Sequence, residues 1–413
     1  MADEREIRLK VEDLTLIFGK KKEEALKLLN QGASKSEILK KTKCTVGVNK
    51  ASFEIKEGEI FVIMGLSGSG KSTLIRCLNR LNDPTAGKVF FKDHDITRDT
   101  NKQLLQTRRT EMSMVFQKFG LLPHRTILEN AAFGLEIRGE NKVEREERAK
   151  QALKTVGLEG YEDQLPANLS GGMQQRVGLA RALANDSDVL LMDEAFSALD
   201  PLIKSDMQDE LLQIQNKLHK TIVFITHDLD EAMKVGDRIA IMKDGVVEQI
   251  GTAEEILTDP ASDYVKAFVE KVDRKTIITA ETLMFDRPTI VRFKKDGPKG
   301  AIRKMREAGV DVLPVEDDQE KFLGYVWLKD MLKLEKEKAK TIETVLHTEV
   351  PSVYKHYKVE EMLPLITGHN HPLAVVDEEG KLIGLVTQTS LIIESTRYSD
   401  KEMDKLIDKA NEL

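Results

Sequence analysis

The chain has 413 residues, 40% hydrophobic and 32% charged, with a formal net charge of −7 at pH 7. That length predicts two or three domains with packed cores, and the acidic charge argues against nucleic acid as a partner. Its two cysteines, Cys44 and Cys77, are too few for a disulfide framework and lack metal-ligand spacing, which indicates a reduced, cytosolic setting.

The sequence contains no stretch that resembles a membrane span or a signal peptide. No apolar run approaches the ~18 residues needed to cross a bilayer, and residues 1–5 lack an apolar signal core. If the chain serves a membrane process, we expect it to do so as a peripheral protein at the cytoplasmic face of the cell membrane, docked on another chain.

Residues 7–18 are predicted to form a strand, followed by a lysine-rich insert at about residues 20–43 that we call the basic hairpin. An apolar face, a stop at Gly32 and a capping box from Ser34 to Glu37 predict two short helices. The basic face either contacts anionic lipid, at about 1 kcal/mol per Lys near the surface, or is simply solvated. The lysines are Lys20, Lys21, Lys22, Lys27, Lys35, Lys40, Lys41 and Lys43.

Three short apolar runs, at residues 60–64, 189–192 and 222–225, are typical of buried strands. They alternate with helical patterns, which predicts an α/β fold with a mostly parallel sheet covered by helices. In such sheets ligands bind at the carboxyl ends of the strands. The charged segment between residues 120 and 169 is predicted to be a helical subdomain.

The first run leads into residues 65–72, Gly-Leu-Ser-Gly-Ser-Gly-Lys-Ser, which match the phosphate loop G-x-x-x-x-G-K-[ST]. Its glycines let backbone N–H groups converge on phosphate oxygens, while Lys71 would reach the β- and γ-phosphates and Ser72 would ligate Mg²⁺. A strand before it and a helix after it argue against a mere flexible turn. The predicted ATP contacts in this loop are Gly65, Ser67, Gly68, Ser69, Gly70, Lys71, Ser72 and Thr73.

The second run ends in the acidic pair Asp193 and Glu194. Asp193 could hold Mg²⁺ through water, and Glu194 is placed to polarise the attacking water. An ordinary charged strand end would be the better interpretation if no phosphate loop lay upstream.

Residues 169–176, Leu-Ser-Gly-Gly-Met-Gln-Gln-Arg, form a segment that we call the signature. Ser170, Gly171 and Gly172 are predicted to precede a helix at residues 173–183, so their N–H groups and hydroxyl would form a second anion site. A plain serine N-cap with a tight turn satisfies the same pattern.

Four further residues are candidates with structural alternatives. His227, after the third strand, would hydrogen-bond phosphate and water and hold Glu194 in line, although a histidine there is more often structural. Gln117 could bind Mg²⁺ or the water. Asp200 is most simply an N-cap, and Phe18 could stack on adenine or pack in the core.

Residues 275–398 contain an internal repeat: Lys321-Phe-Leu-Gly-Tyr-Val matches Lys381-Leu-Ile-Gly-Leu-Val 60 positions later. A repeat of this kind is one supersecondary unit used twice, and two units can bury a shared face. The charged tail, residues 399–413, is predicted to be a short exposed helix.

The phosphate loop, the signature and the acidic pair, in this order, resemble the ABC transporter ATPase subunits over residues 10–270. The resemblance implies an ABC-type P-loop NTPase domain at residues 1–270. Ala195-Phe196, the approach to the phosphate loop and the basic hairpin are similar to the glycine betaine/proline (OpuA/ProV-type) branch of osmoprotectant importers.

Roles for individual residues follow from that resemblance. Gln117 would be the Q-loop residue, Glu194 the catalytic glutamate, Asp200 part of the D-loop, His227 the switch histidine and Phe18 the adenine-stacking aromatic. Mg²⁺ would be held by Ser72, Gln117 and Asp193. The family pairs two copies head to tail, so that one copy's signature completes the other's Mg-ATP site. The signature residues concerned are Leu169, Ser170, Gly171, Gly172 and Gln174.

The repeat resembles a tandem CBS pair, with copies at residues 275–335 and 336–398. This α+β regulatory module often binds adenine nucleotides, including cyclic di-AMP in some osmolyte importers. The usual pattern is G-h-h-T-x-x-D, where h is a hydrophobic residue. The first copy has Trp327 at the threonine position and keeps the aspartate as Asp330. The second copy keeps the threonine as Thr387 and has Ser390 at the aspartate position. These four residues are candidate ligands, and one shared site or a purely structural pairing remains open.

The resemblance implies the ATP-hydrolysing subunit of an importer for a quaternary amine osmoprotectant, glycine betaine, with an integral membrane permease/substrate-binding subunit as partner. Regulation would act through the CBS pair by ionic strength, by an adenine nucleotide or by both. Proline, choline or carnitine are alternative solutes. A non-transport ABC ATPase with a CBS dimerisation scaffold is a different class, disfavoured by the acidic charge and the absence of a coiled-coil insertion.

Overall fold

The computed structural model describes residues 5–117, 120–197, 199–270, 272, 274–286, 288–366 and 371–395. The chain divides into two compact units, Met1–Val269 and Glu270–Leu413. Within the described residues, no helix is both long and apolar enough to cross a bilayer. The tail at residues 399–413, predicted to be helical, lies outside the described residues.

The first unit is built from strands and helices that alternate along most of its length. Its strands are β1 (Ile7–Phe18), β2 (Thr45–Lys56), β3 (Ile60–Met64), β4 (Ala86–Phe91), β5 (His94–Asp95), β6 (Met112–Val115), β7 (Val189–Asp193), β8 (Thr221–Thr226), β9 (Arg238–Lys243) and β10 (Val246–Gly251). Its α-helices are α1 (Lys22–Asn30), α2 (Lys35–Thr42), α3 (Lys71–Leu78), α4 (Asn101–Thr110), α5 (Ile127–Arg138), α6 (Lys142–Thr155), α7 (Gly171–Ala184), α8 (Pro201–Leu218), α9 (Leu229–Val235), α10 (Ala253–Thr258) and α11 (Asp263–Val269).

Two sheets form the core of this unit. An antiparallel sheet has the order β2-β1-β4-β5, and a six-stranded sheet has the order β10-β9-β3-β8-β7-β6. In the second sheet β9, β3, β8, β7 and β6 are parallel, as the sequence predicts, and β10 pairs antiparallel at the edge. Every residue of β3, β7 and β8 is buried, which explains their continuous apolar runs. Phe53 of β2 stacks on Phe61 of β3 with ring centroids 5.1 Å apart, joining the two sheets.

The basic hairpin is helical, as predicted, and its helices α1 and α2 follow β1 and precede β2 along the chain. The capping box is present: the Ser34 side chain accepts from the Glu37 N–H, and the Glu37 carboxylate accepts from the Ser34 N–H at 2.8 Å. Ala25 and Ile38 are fully buried against a cluster that includes Ile17 of β1. The hairpin therefore packs on the sheet through its apolar face and presents its lysines outward, except Lys35, which is half-buried.

The segment between residues 120 and 169 is largely helical, as predicted, and α5 and α6 pack with α7. Asn130 on α5 is completely buried and holds the preceding loop. Its side chain accepts from the Leu122 N–H at 2.7 Å and donates to the carbonyls of Leu122 at 3.0 Å and Arg125 at 3.1 Å. These bonds hold the loop at residues 122–125 against α5.

The second unit contains the repeat. Its strands are β11 (Phe285–Asp286), β12 (Val291–Arg292), β13 (Val312–Glu316), β14 (Phe322–Trp327), β15 (Ser352–Tyr354), β16 (Leu373–Val376) and β17 (Leu382–Val386). Its α-helices are α12 (Ala280–Leu283), α13 (Pro298–Ala308), α14 (Leu328–Lys336), α15 (Val359–Ile366) and α16 (Gln388–Ser395). The sheets have the orders β12-β13-β14 and β11-β17-β16-β15.

Both copies of the repeat have the same strand–helix–strand–strand–helix order, from β12 to α14 and from β15 to α16. The copies bond to each other reciprocally: the Phe322 N–H donates to Gly380 O at 3.0 Å, and the Leu382 N–H donates to Glu320 O at 3.4 Å. Each donor and each acceptor has its counterpart 60 positions away, so the spacing seen in the sequence reappears as a pseudo-two-fold arrangement.

Candidate active site

Three neighbouring parallel strands bring the predicted chemistry to one edge of the large sheet. Met64, at the end of β3, pairs with Thr226 on β8, and Asp193, at the end of β7, pairs with Ile225. The phosphate loop, Glu194 and His227 each follow one of these strand ends. The predicted site residues therefore lie at the carboxyl ends of the strands, the edge where ligands bind in sheets of this kind.

Close backbone packing explains why glycines occupy the phosphate loop. Gly65 and Gly70 have φ values of +148° and +106°, in the region that favours glycine. A Cβ at Gly65 would lie 2.2 Å from Met242 O, and one at Gly70 would lie 2.4 Å from Gly47 O. The loop thus packs closely against the backbone of two other segments, and α3 begins directly after it, at Lys71.

Lys71 is folded back onto the loop and is only 4% exposed. Its Nζ donates to Gly65 O at 2.8 Å and Leu66 O at 3.2 Å, and it lies 3.9 Å from Glu194 Oε1. Burial lowers the pKa of Lys71, and the carboxylates of Glu194 and Asp193 oppose that shift. The buried hydroxyl of Ser69 has no hydrogen-bond partner in the described part of the chain, so it is available to a phosphate oxygen.

A hydroxyl and a carboxylate, two groups that could bind Mg²⁺, lie in contact beside the phosphate loop. Ser72 Oγ donates to Asp193 Oδ1 at 2.8 Å, and an Arg76 guanidinium nitrogen donates to Asp193 Oδ2 at 3.1 Å. Oxygen ligands of this kind suit Mg²⁺. The third predicted ligand, Gln117, instead has its amide nitrogen 2.9 Å from Glu194 Oε2.

Glu194 lies at the centre of the polar side chains. Its φ of +47° places a non-glycine residue in the left-handed region, a conformation that costs about 1–3 kcal/mol and is common at functional sites. Its carboxylate accepts from Gln117 and lies 3.9 Å from the Nδ1 of His227 and 3.9 Å from the Nζ of Lys71. The structure therefore brings the three predicted catalytic residues, Glu194, His227 and Gln117, together around one carboxylate.

The signature forms a helix N-terminus, with one difference from the prediction. Ser170 is the N-cap and accepts from the Met173 N–H at 3.4 Å, but α7 begins at Gly171 rather than Met173. Gly171 and Gly172 therefore belong to the first turn of the helix instead of preceding it. Their N–H groups are among those that a helix start leaves without a partner inside the helix. Ser170 and Gly171 are exposed, whereas Gly172 is buried.

Leu169 and Gln174 support this turn from within the same chain. Leu169 is 7% exposed. The Gln174 side chain donates to Pro166 O and Leu169 O, both at 3.1 Å. Gln174 thus fixes the segment before the helix, a position that the sequence alone did not reveal.

Asp200 and Phe18 are also located by the structure. Asp200 is the N-cap of α8, its carboxylate accepting from the Ile203 N–H at 3.1 Å. Phe18 is 43% exposed, so core packing is the wrong interpretation. A Cβ at Gly47 would lie 2.9 Å from both Phe18 Cε2 and Thr73 Cγ2, which puts the ring beside the phosphate-loop helix.

Arg76 and Gly47 were missed by the sequence reasoning. Arg76 lies four positions after Ser72 on the same helix, so helical spacing could have shown that both side chains reach one point. Gly47 belongs to no recognisable sequence motif. It matters because the fold brings it close to Gly70 and Phe18, which are distant from it in the sequence.

The second unit contains a cleft of about 1250 Å³ between helix and strand residues of both copies. Thr387 lines it, and its hydroxyl accepts from the Ser390 N–H at 3.1 Å. Trp327 packs edge-on against His347 with centroids 4.4 Å apart, and Asp330 Oδ2 lies 3.4 Å from His347 Nε2. The four candidate ligands thus form two separate pairs, one in each copy.

Comparison with known proteins identifies the family. The ABC transporter family model matches residues 48–197, and the CBS domain model matches residues 342–396. The glycine betaine/carnitine transport ATP-binding protein GbuA of Listeria monocytogenes is 54% identical over 385 residues, 93% of this chain and 96% of that protein. The chain belongs to the ABC transporter family. The glycine betaine transport ATP-binding protein OpuAA of Bacillus subtilis is 52% identical, over 94% of this chain and 93% of that protein.

Solved ABC structures agree with this assignment. The dimeric post-hydrolysis structure of the ATP-binding cassette MJ0796, bound to ADP and Pi, is 32% identical with a TM-score of 0.51, and covers 59% of this chain and 98% of that one. This ABC protein is therefore an ATPase, with ATP as substrate and Mg²⁺ as its cofactor, and a CBS domain follows the ABC domain. ABC ATP-binding subunits act as dimers with membrane permease components.

Proposed function

We propose that this ABC ATPase powers an importer for glycine betaine. The observation that carries the proposal is similarity along 93% and 94% of the chain to two proteins named for glycine betaine transport. The similarity includes the CBS region as well as the ABC domain. A carnitine transport ATP-binding protein, OpuCA of Listeria monocytogenes, is 36% identical over 84% of the chain, and GbuA is named for both solutes, so carnitine is the second candidate solute.

In the proposed mechanism, this chain's residues bind and orient ATP before any bond is broken. The phosphate-loop N–H groups, Lys71 Nζ and the free Ser69 hydroxyl would bind phosphate oxygens, and Phe18 would stack on the adenine. Ser72 and Asp193 would hold Mg²⁺. When bound, the ion offsets the negative charge that develops on the phosphate oxygens.

Glu194 would then orient and polarise the attacking water. Gln117 donates a hydrogen bond to its carboxylate, His227 lies 3.9 Å from it, and both would contact the same water or the γ-phosphate. Glu194 has a left-handed backbone, and its carboxylate lies 3.9 Å from the Nζ of Lys71. This geometry accounts for a general base or water-orienting role.

The second half of the site would come from another copy of the chain. The exposed Ser170 and Gly171 at the start of α7 form an anion-binding helix N-terminus. Two chains arranged head to tail would place this turn on the γ-phosphate held by the partner's phosphate loop.

Transport by the assembled complex tests the proposed solute. We would reconstitute the full-length chain with its membrane subunit in vesicles and supply labelled glycine betaine, carnitine, choline or proline. ATP-driven uptake of glycine betaine should exceed that of the others and disappear in E194Q. Preferential uptake of another solute would contradict the assignment, and no uptake with active ATP hydrolysis would contradict an importer.

For the CBS pair, we propose that the cleft binds an adenine nucleotide such as cyclic di-AMP. Its volume exceeds the ~300–1,000 Å³ of ordinary small-molecule pockets, so a dinucleotide fits. Phe285 and Leu313 offer apolar surface to a base, Arg306 offers a guanidinium to phosphate, and Thr387 offers a hydroxyl.

Titration of the full-length chain with cyclic di-AMP, AMP or ATP tests this proposal. The chain carries K71A, which weakens nucleotide binding at the phosphate loop. R306M should weaken cyclic di-AMP binding about tenfold, whereas R303M on the same helix should not, since Arg303 is 74% exposed and pairs with Glu307. Absence of binding by cyclic di-AMP, AMP and ATP would favour a structural pairing or regulation by ionic strength.

We also propose that the chain works at the cytoplasmic face of the membrane and that the basic hairpin contacts anionic lipid. The free, buried cysteines fit a reducing compartment. Lys20, Lys21 and Lys22 are exposed at the start of α1. At about 1 kcal/mol per lysine, replacing all three by Gln should weaken binding to phosphatidylglycerol vesicles roughly 100-fold. Equal binding to neutral vesicles would contradict the lipid contact.

A further inference from the structure

A partly buried cluster of charged side chains lies next to the loop that carries His227. Lys204 on α8 is 17% exposed, and its Nζ lies 2.6 Å from Asp228 Oδ2 and 3.5 Å from Glu231 Oε2. Asp228 directly follows His227 and caps α9 through the Glu231 N–H. A side chain from α8 therefore reaches the residue next to the switch histidine.

The cluster also fixes the other side of His227. Glu231 is 4% exposed and accepts from Gln208 Nε2 at 3.2 Å and from the Thr226 hydroxyl. The same hydroxyl accepts from the Asp228 N–H at 2.9 Å. Thr226 and Asp228, on either side of His227, are thus both tied to side chains of this cluster.

The ion pair is charged around neutral pH. Burial alone would lower the pKa of Lys204, but the hydrogen bond to Asp228 and the attraction of Glu231 and Asp228 raise it above its ordinary value. Burial alone would raise the pKa of Asp228, but Lys204 and the backbone N–H of Glu231 hold it below its ordinary value. Removing Lys204 would leave the carboxylates of Asp228 and the buried Glu231 without this cation.

The first turn of α8 contacts two other parts of the site. Asp200 caps the helix. Ile203, beside Lys204, packs on the signature: a Cβ at Gly172 would lie 2.7 Å from Ile203 Cγ2. One helical turn thus contacts the D-loop residue, the signature helix and the His227 loop.

We propose that Lys204 is a positioning residue for ATP hydrolysis, which links the signature and Asp200, through α8, to the loop that holds His227. The inference rests on the proposed role of His227. Lys204 does not contact the phosphate loop, so its loss should change the rate of hydrolysis more than the binding of ATP.

The test compares ATP hydrolysis by K204M and K204R in the full-length chain assembled with its membrane subunit. K204M should lower kcat at least about tenfold, because small misplacements of catalytic groups cost this much or more, with less than about a twofold change in KM. K204R should restore most of the rate. If K204M does not fold, K204Q serves in its place, since its neutral amide removes the ion pairs with Asp228 and Glu231 and keeps a polar side chain at this position.

Lys234 provides a matched control. It joins the same two helices, with its Nζ 2.7 Å from Asp209 and 3.2 Å from Ser205 Oγ, but contacts neither Asp228 nor Glu231. K234M should therefore keep kcat within about twofold of the wild type. Equal losses in K234M and K204M would overturn the proposal, because they would indicate a general effect of helix packing.

A double variant tests whether Lys204 acts through His227. Single-turnover hydrolysis by H227A should be slow, and adding K204M should slow it no further. If the double variant's loss of rate equals the product of the two single losses, the proposal is overturned. A normal rate in K204M together with an inactive H227A would also overturn it. Normal turnover by H227A would instead overturn the proposed role of His227, and with it the premise.

Discussion

Gly172 offers a sharp test of how the signature is held in place. A Cβ at this position would lie 2.7 Å from Ile203 Cγ2, about 1 Å closer than the ~3.5–4.0 Å of a normal carbon contact. In G172A the start of α7 must therefore move away from α8 by up to about 1 Å.

The effect on stability should be small, while the effect on rate should be large. Alanine is favoured over glycine in a helix by about 1 kcal/mol, and overpacking costs ~1–3 kcal/mol. These terms leave a net loss of roughly 0–2 kcal/mol in the free energy of unfolding. A misplacement of about 1 Å at a reacting group can cost as much as 100-fold in rate, so we expect kcat to fall about 10- to 100-fold.

The assay is steady-state ATP hydrolysis by the full-length chain, with ATP binding and thermal unfolding measured in parallel. ATP binding should be nearly unchanged, because the chain's own phosphate loop is untouched. The compensating variant is G172A/I203A, which removes Cγ2 and Cδ1 of Ile203 and should recover most of the lost rate. Wild-type kcat in G172A, or a double variant as slow as G172A, would refute the steric argument.

Three further predictions concern the phosphate-loop side of the site. E194Q should bind ATP normally and hydrolyse it at least about 100-fold more slowly; near-normal phosphate release would remove Glu194 from its proposed role. R76M removes the guanidinium that holds Asp193 Oδ2, so half-maximal hydrolysis should need about three- to tenfold more Mg²⁺. An unchanged Mg²⁺ dependence would contradict that holding role. Burial raises the pKa of Cys77 from 9.0 to about 12, so iodoacetamide should not label it in the folded chain at pH 8. The thiol ionises at a lower pH in the unfolded chain than in the folded one. The free energy of unfolding, compared with that of C77A, should therefore be constant below pH 9 and fall as the pH rises towards 12. A difference between the two proteins that does not change with pH would contradict burial of the thiol.

Local sequence patterns predicted much of the fold. The apolar runs became β3, β7 and β8 because parallel strands are buried on both faces. The Ser34–Glu37 spacing located the start of α2, since a capping box depends on only four neighbouring residues.

The start of α7 could not be read in the same way. Glycine is a poor helix former, so propensity places Gly171 and Gly172 before the helix. In the structure Gly172 packs against Ile203 of α8, a long-range contact that sequence periodicity does not report. The same limit applies to the Arg76–Asp193 and Lys204–Asp228 pairs, whose partners are brought together only by the folded sheet.

The most direct test of the central claim, that two chains complete each other's ATP sites, is mixed-chain complementation. K71A disables the phosphate loop and S170R disables the signature, so each variant alone should be inactive. In an equimolar mixture, each heterodimer keeps one intact site, and random pairing predicts about a quarter of wild-type hydrolysis. Recovered activity on mixing is the predicted result, and a mixture as inactive as either variant alone would contradict the head-to-tail account.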